Sequence, residues 1–176
     1  MPKGPFLPSE FVSTAWSTAA EKAAFGNTLL HFLDADCSRQ LFTRKFYTRL
    51  SMTFGHIAHY NLEGFYDTWF TRDRQRLAFV QKLLRWPCHG DPKFTFSDVE
   101  YAVKRVMRER NYLSRFELRA SEALRAAELK DLERLEAKYR SPQQPRNAVA
   151  EPEKTPGAAD QSTAPVAGGP VQFNLF

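Results

Sequence analysis

The aromatic residues of this 176-residue chain are concentrated in its first two thirds. The chain has 24 of them (15 Phe, 6 Tyr and 3 Trp), and 21 lie between Phe6 and Phe116. Large apolar side chains supply most of the area whose burial drives folding. The sequence therefore predicts one folded domain that ends near residue 141, followed by a segment with too little apolar material for a core.

Apolar residues in this first part recur with the period of an α-helix, as in Phe25, Leu29 and Phe32. Three of the periodic stretches begin with a hydroxyl residue followed three positions later by glutamate, which is the capping-box pattern. The pairs are Thr18 with Glu21, Ser97 with Glu100, and Ser114 with Glu117. We therefore predict an all-α fold, a compact helical domain with a long C-terminal helix followed by a disordered tail.

The periodicity also predicts where individual helices lie. The predicted ranges are 18–33, 38–54 with Gly55 as the stop, 57–69 as one bent helix or two short ones, 72–85, a helix from residue 97, and 114–140. Residues 87–96 have the composition of a loop, although a short extended piece at 94–96 is an alternative. Beyond residue 127, the last helix has only Leu129, Leu132, Leu135 and Tyr139 among charged residues. It is expected either to project or to pair in a short coiled coil that would make a homodimer.

Residues 142–171 contain six prolines and no aromatic residue, which is typical of a disordered linker. The peptide that follows is Gln172, Phe173, Asn174, Leu175 and Phe176. It resembles the short motif with which bacterial replication and repair proteins bind the DNA sliding clamp, in which glutamine is followed by a small polar residue and then Leu-Phe. The resemblance covers five residues and departs from the commonest form at Phe173 and Asn174. It implies that the bacterial sliding clamp is a partner.

Lysine and arginine (25) exceed aspartate and glutamate (20), which suits a polyanionic partner such as DNA. The candidate nucleic-acid-binding residues lie on two predicted helices. They are Arg39, Arg44, Lys45 and Arg49 on one helix, and Lys104, Arg105 and Arg108 on the other. An ordinary solvated helix surface is the alternative interpretation of the same residues.

No sequence pattern predicts a catalytic residue or a cofactor, so we do not expect an enzyme. His56 and His59 could share one side of a helix, with His31, Cys88, His89 and Asp91 as further metal ligands, but the spacing is weak and we predict no metal site. The start of the sequence does not resemble a signal peptide, and no apolar run is long enough for a membrane span, so we expect a cytoplasmic protein.

Three functions follow as hypotheses from these patterns. The first is a non-enzymatic DNA replication or repair accessory protein, recruited to the clamp through residues 172–176 and contacting nucleic acid through its basic body. The alternative is a helical adaptor or regulator that dimerises through residues 114–140 and has no DNA role. The third is an enzyme with an unrecognised site around His56, His59 and Asp91.

Overall fold

The computed structural model describes residues 4–55, 61–87 and 90–140. Within these ranges the chain is helical and has no strand, which confirms the predicted fold class. The described α-helices are α1 (Ala19–Asp34), α2 (Arg44–Phe54), α3 (Leu62–Trp69), α4 (Asp73–Arg85), α5 (Ser97–Glu109) and α6 (Tyr112–Arg140). Two short 3-10 turns, Pro8–Glu10 and Arg39–Leu41, precede α1 and α2. The alternative of an extended piece at 94–96 is wrong, because these residues form turns and bends.

The core is a cluster of phenylalanines around the apolar face of α1. The ring of Phe32, which is completely buried, lies 5.1 Å from Phe46 and 5.0 Å from Phe70, measured between ring centroids. Phe70 meets Phe79 of α4 edge to face at 4.7 Å. Edge-to-face contacts add to the free energy gained by removing the rings from water. The cluster therefore joins α1, α2 and α4 into one body.

The capping box predicted at Thr18 is confirmed. The Thr18 hydroxyl accepts a hydrogen bond from the Glu21 amide (3.2 Å), and the Glu21 carboxylate accepts one from the Thr18 amide (2.8 Å). The same prediction is wrong at Ser97, because α5 begins at Ser97 itself and the serine hydroxyl donates to the carbonyl of Gly90 (2.9 Å). The Ser97 hydroxyl, which the pattern assigned to capping α5, is thus bonded to a loop carbonyl instead.

The predicted box at Ser114 is also wrong, because α6 begins two residues earlier. Tyr112 is completely buried, and its hydroxyl donates to the Asp34 carboxylate at 2.7 Å. Asn111, in the left-handed conformation (φ 52°), separates α5 from α6. Packing of Tyr112 against α1 therefore decides where the last helix starts.

Helix α2 begins later than predicted. The chain first makes the 3-10 turn Arg39–Leu41, and α2 then starts after Thr43, whose hydroxyl accepts from the Phe46 amide at 3.2 Å. Its end at Gly55 is as predicted, with the glycine in the left-handed conformation (φ 59°).

Helix α6 is 29 residues long and contacts α4 and α5 near its start, where Phe116 is buried. Every residue from 121 to 140 is exposed. In the described part of the chain, no helix has both the length and the apolar composition that a membrane span requires. The predicted linker 142–171 and the predicted clamp-binding peptide 172–176 lie outside the described residues.

Candidate nucleic-acid interface

Three of the predicted nucleic-acid-binding residues are on α2. Arg44 and Lys45 are exposed on its first turn, and Arg49 is partly exposed one turn later. The helix contains no acidic residue, so its own sequence does not neutralise these charges. The partial positive charge of the helix N-terminus adds to the potential there. The start of α2 therefore presents two exposed cations, Arg44 and Lys45, to solvent.

Arg39, on the turn before α2, already has protein partners. Its guanidinium forms an ion pair with Glu63, donates to the Phe42 carbonyl (3.2 Å) and lies 5.1 Å from the centre of the Tyr66 ring. These contacts hold α3 beside the turn. Phosphate binding by Arg39 would have to compete with the Glu63 carboxylate.

Arg49 is held in place by contacts on two sides. Its guanidinium donates to the Ser17 hydroxyl (3.0 Å) and stacks on Phe96, 4.7 Å from the ring centre. Hydrogen bonds from the Thr18 amide and then from its hydroxyl lower the pKa of Glu21, and the charges of Arg49 and Lys45 lower it further. The carboxylate of Glu21 is thus one acidic group that faces α2.

The basic residues predicted on α5 differ in exposure. Lys104 is only 5 % exposed and donates to the carbonyl of Trp86, so its assignment to nucleic-acid binding is wrong. Arg105 is exposed and has Glu10 (3.6 Å) and Glu109 (3.8 Å) as carboxylate partners. Arg108 is exposed. With 3.6 residues per turn, Lys104 lies on the buried side of α5. The pattern of charges in the sequence did not predict this burial.

A cavity of about 460 Å³ opens beside the C-terminal half of α2. Its walls come from α2, from residues 14–17, from residues 86–87, which follow α4, and from residues 94–96 in the loop before α5. We call it the aromatic pocket, and it is lined by Trp16, Met52, Trp86, Phe94 and Phe96, together with Arg49 and Thr53. Sequence reasoning missed it, because its residues are far apart in the chain and carry no shared pattern.

A second cavity, of about 530 Å³, lies on the other side of α2, against α1. Small residues of α1, including Ala20 and Ala24, form one wall, and Lys45 and Phe46 form the opposite one. Arg49 lines both cavities. The two cavities therefore flank one basic helix.

Two polar side chains line the aromatic pocket deep in the fold. Thr53 is 7 % exposed, and within the part of the chain that the structure describes its hydroxyl has no hydrogen-bond partner. Glu100 is 6 % exposed and also contributes to the wall. A buried hydroxyl without a partner costs free energy unless water or a ligand satisfies it.

Most of the candidate metal ligands, namely His56, His59, Cys88 and His89, lie outside the described residues. His31 is on α1, and the Asp91 carboxylate accepts from the Lys93 amide at 2.9 Å. Among residues 4–55, 61–87 and 90–140, no group of three or more His, Cys, Asp or Glu side chains is placed to hold a metal ion. Burial raises the pKa of the Cys37 thiol to about 12, so this thiol is protonated at neutral pH.

Comparison with known proteins finds no family model that matches the sequence, and no curated protein or solved structure with significant similarity. The function must therefore be argued from the side chains and their surroundings.

Proposed function

We propose that this protein is a DNA replication or repair accessory protein that is recruited to the bacterial sliding clamp through residues 172–176, and that its helical body contacts nucleic acid. The pattern Gln172, Asn174, Leu175, Phe176 is the observation that carries the proposal. Its amide side chain suits register-fixing hydrogen bonds, and its Leu-Phe pair suits an apolar pocket on the partner.

The energetics of such a peptide favour a reversible complex. Burial of Leu175 and Phe176 is worth roughly 3 to 6 kcal/mol before ordering costs are subtracted. We therefore expect a dissociation constant on the order of micromolar.

The exposed part of α6 supports a tethered arrangement. At 1.5 Å per residue, residues 121–140 extend over roughly 30 Å. In the sequence, residues 172–176 are separated from the helical body by this exposed part of α6 and by the predicted linker 142–171. Arg44, Lys45 and Arg49 are the body residues proposed to contact phosphates, whereas Lys104 is excluded by its burial.

Retention on immobilised bacterial sliding clamp tests the recruitment. The intact chain is compared with Leu175→Ala/Phe176→Ala and with Val171→Ala, a matched apolar truncation in the linker. We expect the double variant to lose at least about 3 kcal/mol of binding free energy, which corresponds to roughly 100-fold weaker binding. Equal retention of all three proteins would refute the proposal.

One observation favours the alternative of a dimerising adaptor. The exposed residues of α6 include Leu124, Leu129 and Leu132, which are 61 %, 53 % and 52 % exposed. Sedimentation equilibrium of the full chain distinguishes the two: the adaptor hypothesis requires a dimer that Leu129→Ala/Leu132→Ala weakens. A monomer at all concentrations would reject this alternative.

A further inference from the structure

We propose that the aromatic pocket binds an unpaired base of single-stranded nucleic acid, with the phosphates of the strand lying along α2. This deepens the nucleic-acid part of the proposed function and rests on it, but it does not depend on recruitment to the clamp. The ligand chemistry is a planar heterocycle attached to a phosphodiester backbone.

The first argument is the convergence of exposed apolar side chains. Trp16 is 80 % exposed, Phe94 69 % and Met52 68 %, and all three line the same cavity. Large apolar side chains that remain in water and converge on one cavity are typical of a binding site. Trp86 supplies further aromatic surface in the wall, whereas the Phe96 ring is covered by the Arg49 guanidinium. Bases of every type stack on aromatic rings, because each base has a π face.

The second argument is the Thr53 hydroxyl. It is buried in the pocket wall and has no hydrogen-bond partner among residues 4–55, 61–87 and 90–140. The hydroxyl oxygen is inaccessible to solvent, so rotation of the Thr53 side chain towards the cavity is needed before a ligand can reach it. A nucleobase carries donors and acceptors along its edge that can satisfy the rotated hydroxyl, whereas a purely apolar ligand has none.

The third argument is the distribution of charge around the pocket. Arg49 lines the pocket, and Lys45 lies one turn before it on α2, with Arg44 beside Lys45. Lys45 and Arg49 are four residues apart and therefore lie on nearly the same side of α2, where they can contact successive phosphates. The Glu21 carboxylate faces these two cations and offsets part of their charge. Stacking on the aromatic wall directs a base inward, and the cations on α2 hold the phosphates outside.

Fluorescence anisotropy with the full chain tests the proposal. The probes are labelled oligo(dT) and oligo(rU) of about 20 nucleotides and a mixed-sequence DNA duplex of the same length, each at 50 and 200 mM salt. We expect the single strands to bind more tightly than the duplex, and every complex to weaken with salt. The two oligonucleotides distinguish DNA from RNA as the source of the base.

Trp16→Ala and Phe94→Ala are the test variants, because their side chains are exposed and their loss should leave the core intact. Each should weaken single-strand binding roughly 5- to 100-fold, the range of one base-stacking contact. Tyr101→Ala is the matched control, since Tyr101 is 64 % exposed on α5 and does not line the pocket. It should change binding less than twofold.

A second measurement does not depend on any variant. Stacking of a base on Trp16 and Trp86 should quench the tryptophan fluorescence of the intact protein with the single strands and not with the duplex. Equal affinity for single strand and duplex, or equal effects of Trp16→Ala and Tyr101→Ala, would overturn the proposal. Absence of binding to all three probes would overturn it too, while retention on the clamp would show separately whether recruitment stands.

Discussion

The buried ion pair between Lys22 and Asp98 yields a quantitative prediction. The Lys22 ammonium is inaccessible to solvent and donates to both carboxylate oxygens of Asp98 (3.0 and 3.1 Å) and to the carbonyl of Pro92 (2.7 Å). It thereby ties α1 to α5 and to the loop that carries Phe94. The perturbations are Asp98→Asn and Lys22→Met, which remove one charge each and nearly preserve shape.

The two changes should have unequal costs. Asp98→Asn leaves a buried ammonium without its counter-ion, for which a loss of about 3 to 5 kcal/mol in the free energy of unfolding is expected. Lys22→Met leaves a carboxylate that is 14 % exposed and that still accepts from the amides of Val12 (3.1 Å) and Val99 (2.9 Å). Its expected cost is about 1 to 3 kcal/mol, mainly from the lost hydrogen bond to Pro92.

Urea unfolding at neutral pH, followed by circular dichroism, measures these losses. The double variant should cost less than the sum of the two single ones, because no unpaired charge remains. Asp131→Asn is the matched control: its partner Arg134 lies at 3.2 Å in an exposed pair, so the change should stay below about 1 kcal/mol. If Asp98→Asn costs no more than Lys22→Met or than the control, the assignment of a buried charge pair is refuted.

Three further predictions concern local features of the fold, each measured by the free energy of unfolding in urea. Thr18→Ala should cost about 1 kcal/mol, because it removes the N-cap of α1. Ser114→Ala is the control and should change stability little, because Ser114 lies inside the first turn of α6. Equal losses in the two variants would contradict the assigned helix starts. Gly55→Ala should cost about 1 to 2 kcal/mol, since its φ is +59° and an added β-carbon would lie 2.6 Å from the ring of Trp86; a neutral Gly55→Ala would be inconsistent with this geometry. The pKa of the Cys37 thiol is near 9 in the unfolded chain and about 12 in the folded one, so its contribution to the free energy of unfolding is fully present below pH 9 and is lost as the pH rises towards 12, by about 1.4 kcal/mol per pH unit. Cys37→Ala should remove this slope, and parallel plots of unfolding free energy against pH for the two proteins would disprove the assignment.

Features that depend on neighbouring residues could be predicted from the sequence. The start of α1 at Thr18 and the end of α2 at Gly55 were predicted correctly, because a cap and a left-handed stop are made within a few residues of the chain. The start of α5 at residue 97 was also predicted correctly, but the capping box there was wrong, because the Ser97 hydroxyl donates to the carbonyl of Gly90. The start of α6 was predicted two residues too late, because the distant Asp34 carboxylate accepts from the Tyr112 hydroxyl.

The candidate nucleic-acid interface also combines features that the sequence predicted with features that depend on distant contacts. Charge pattern identified Arg44 and Lys45, which are exposed, but it also selected Lys104, which packing turned inward to the carbonyl of Trp86. Trp16 and Phe94 gave no signal as single aromatic residues in loops. Only the fold brings them to one cavity.

Periodicity, composition and short motifs are local properties of the chain, and they were enough to predict the helical class, the apolar composition of the core and the peptide 172–176. Which basic residues reach solvent, and which side chains form the aromatic pocket, became visible only in the folded chain. Burial and convergence depend on contacts between segments that are distant in sequence, and no local pattern records those contacts.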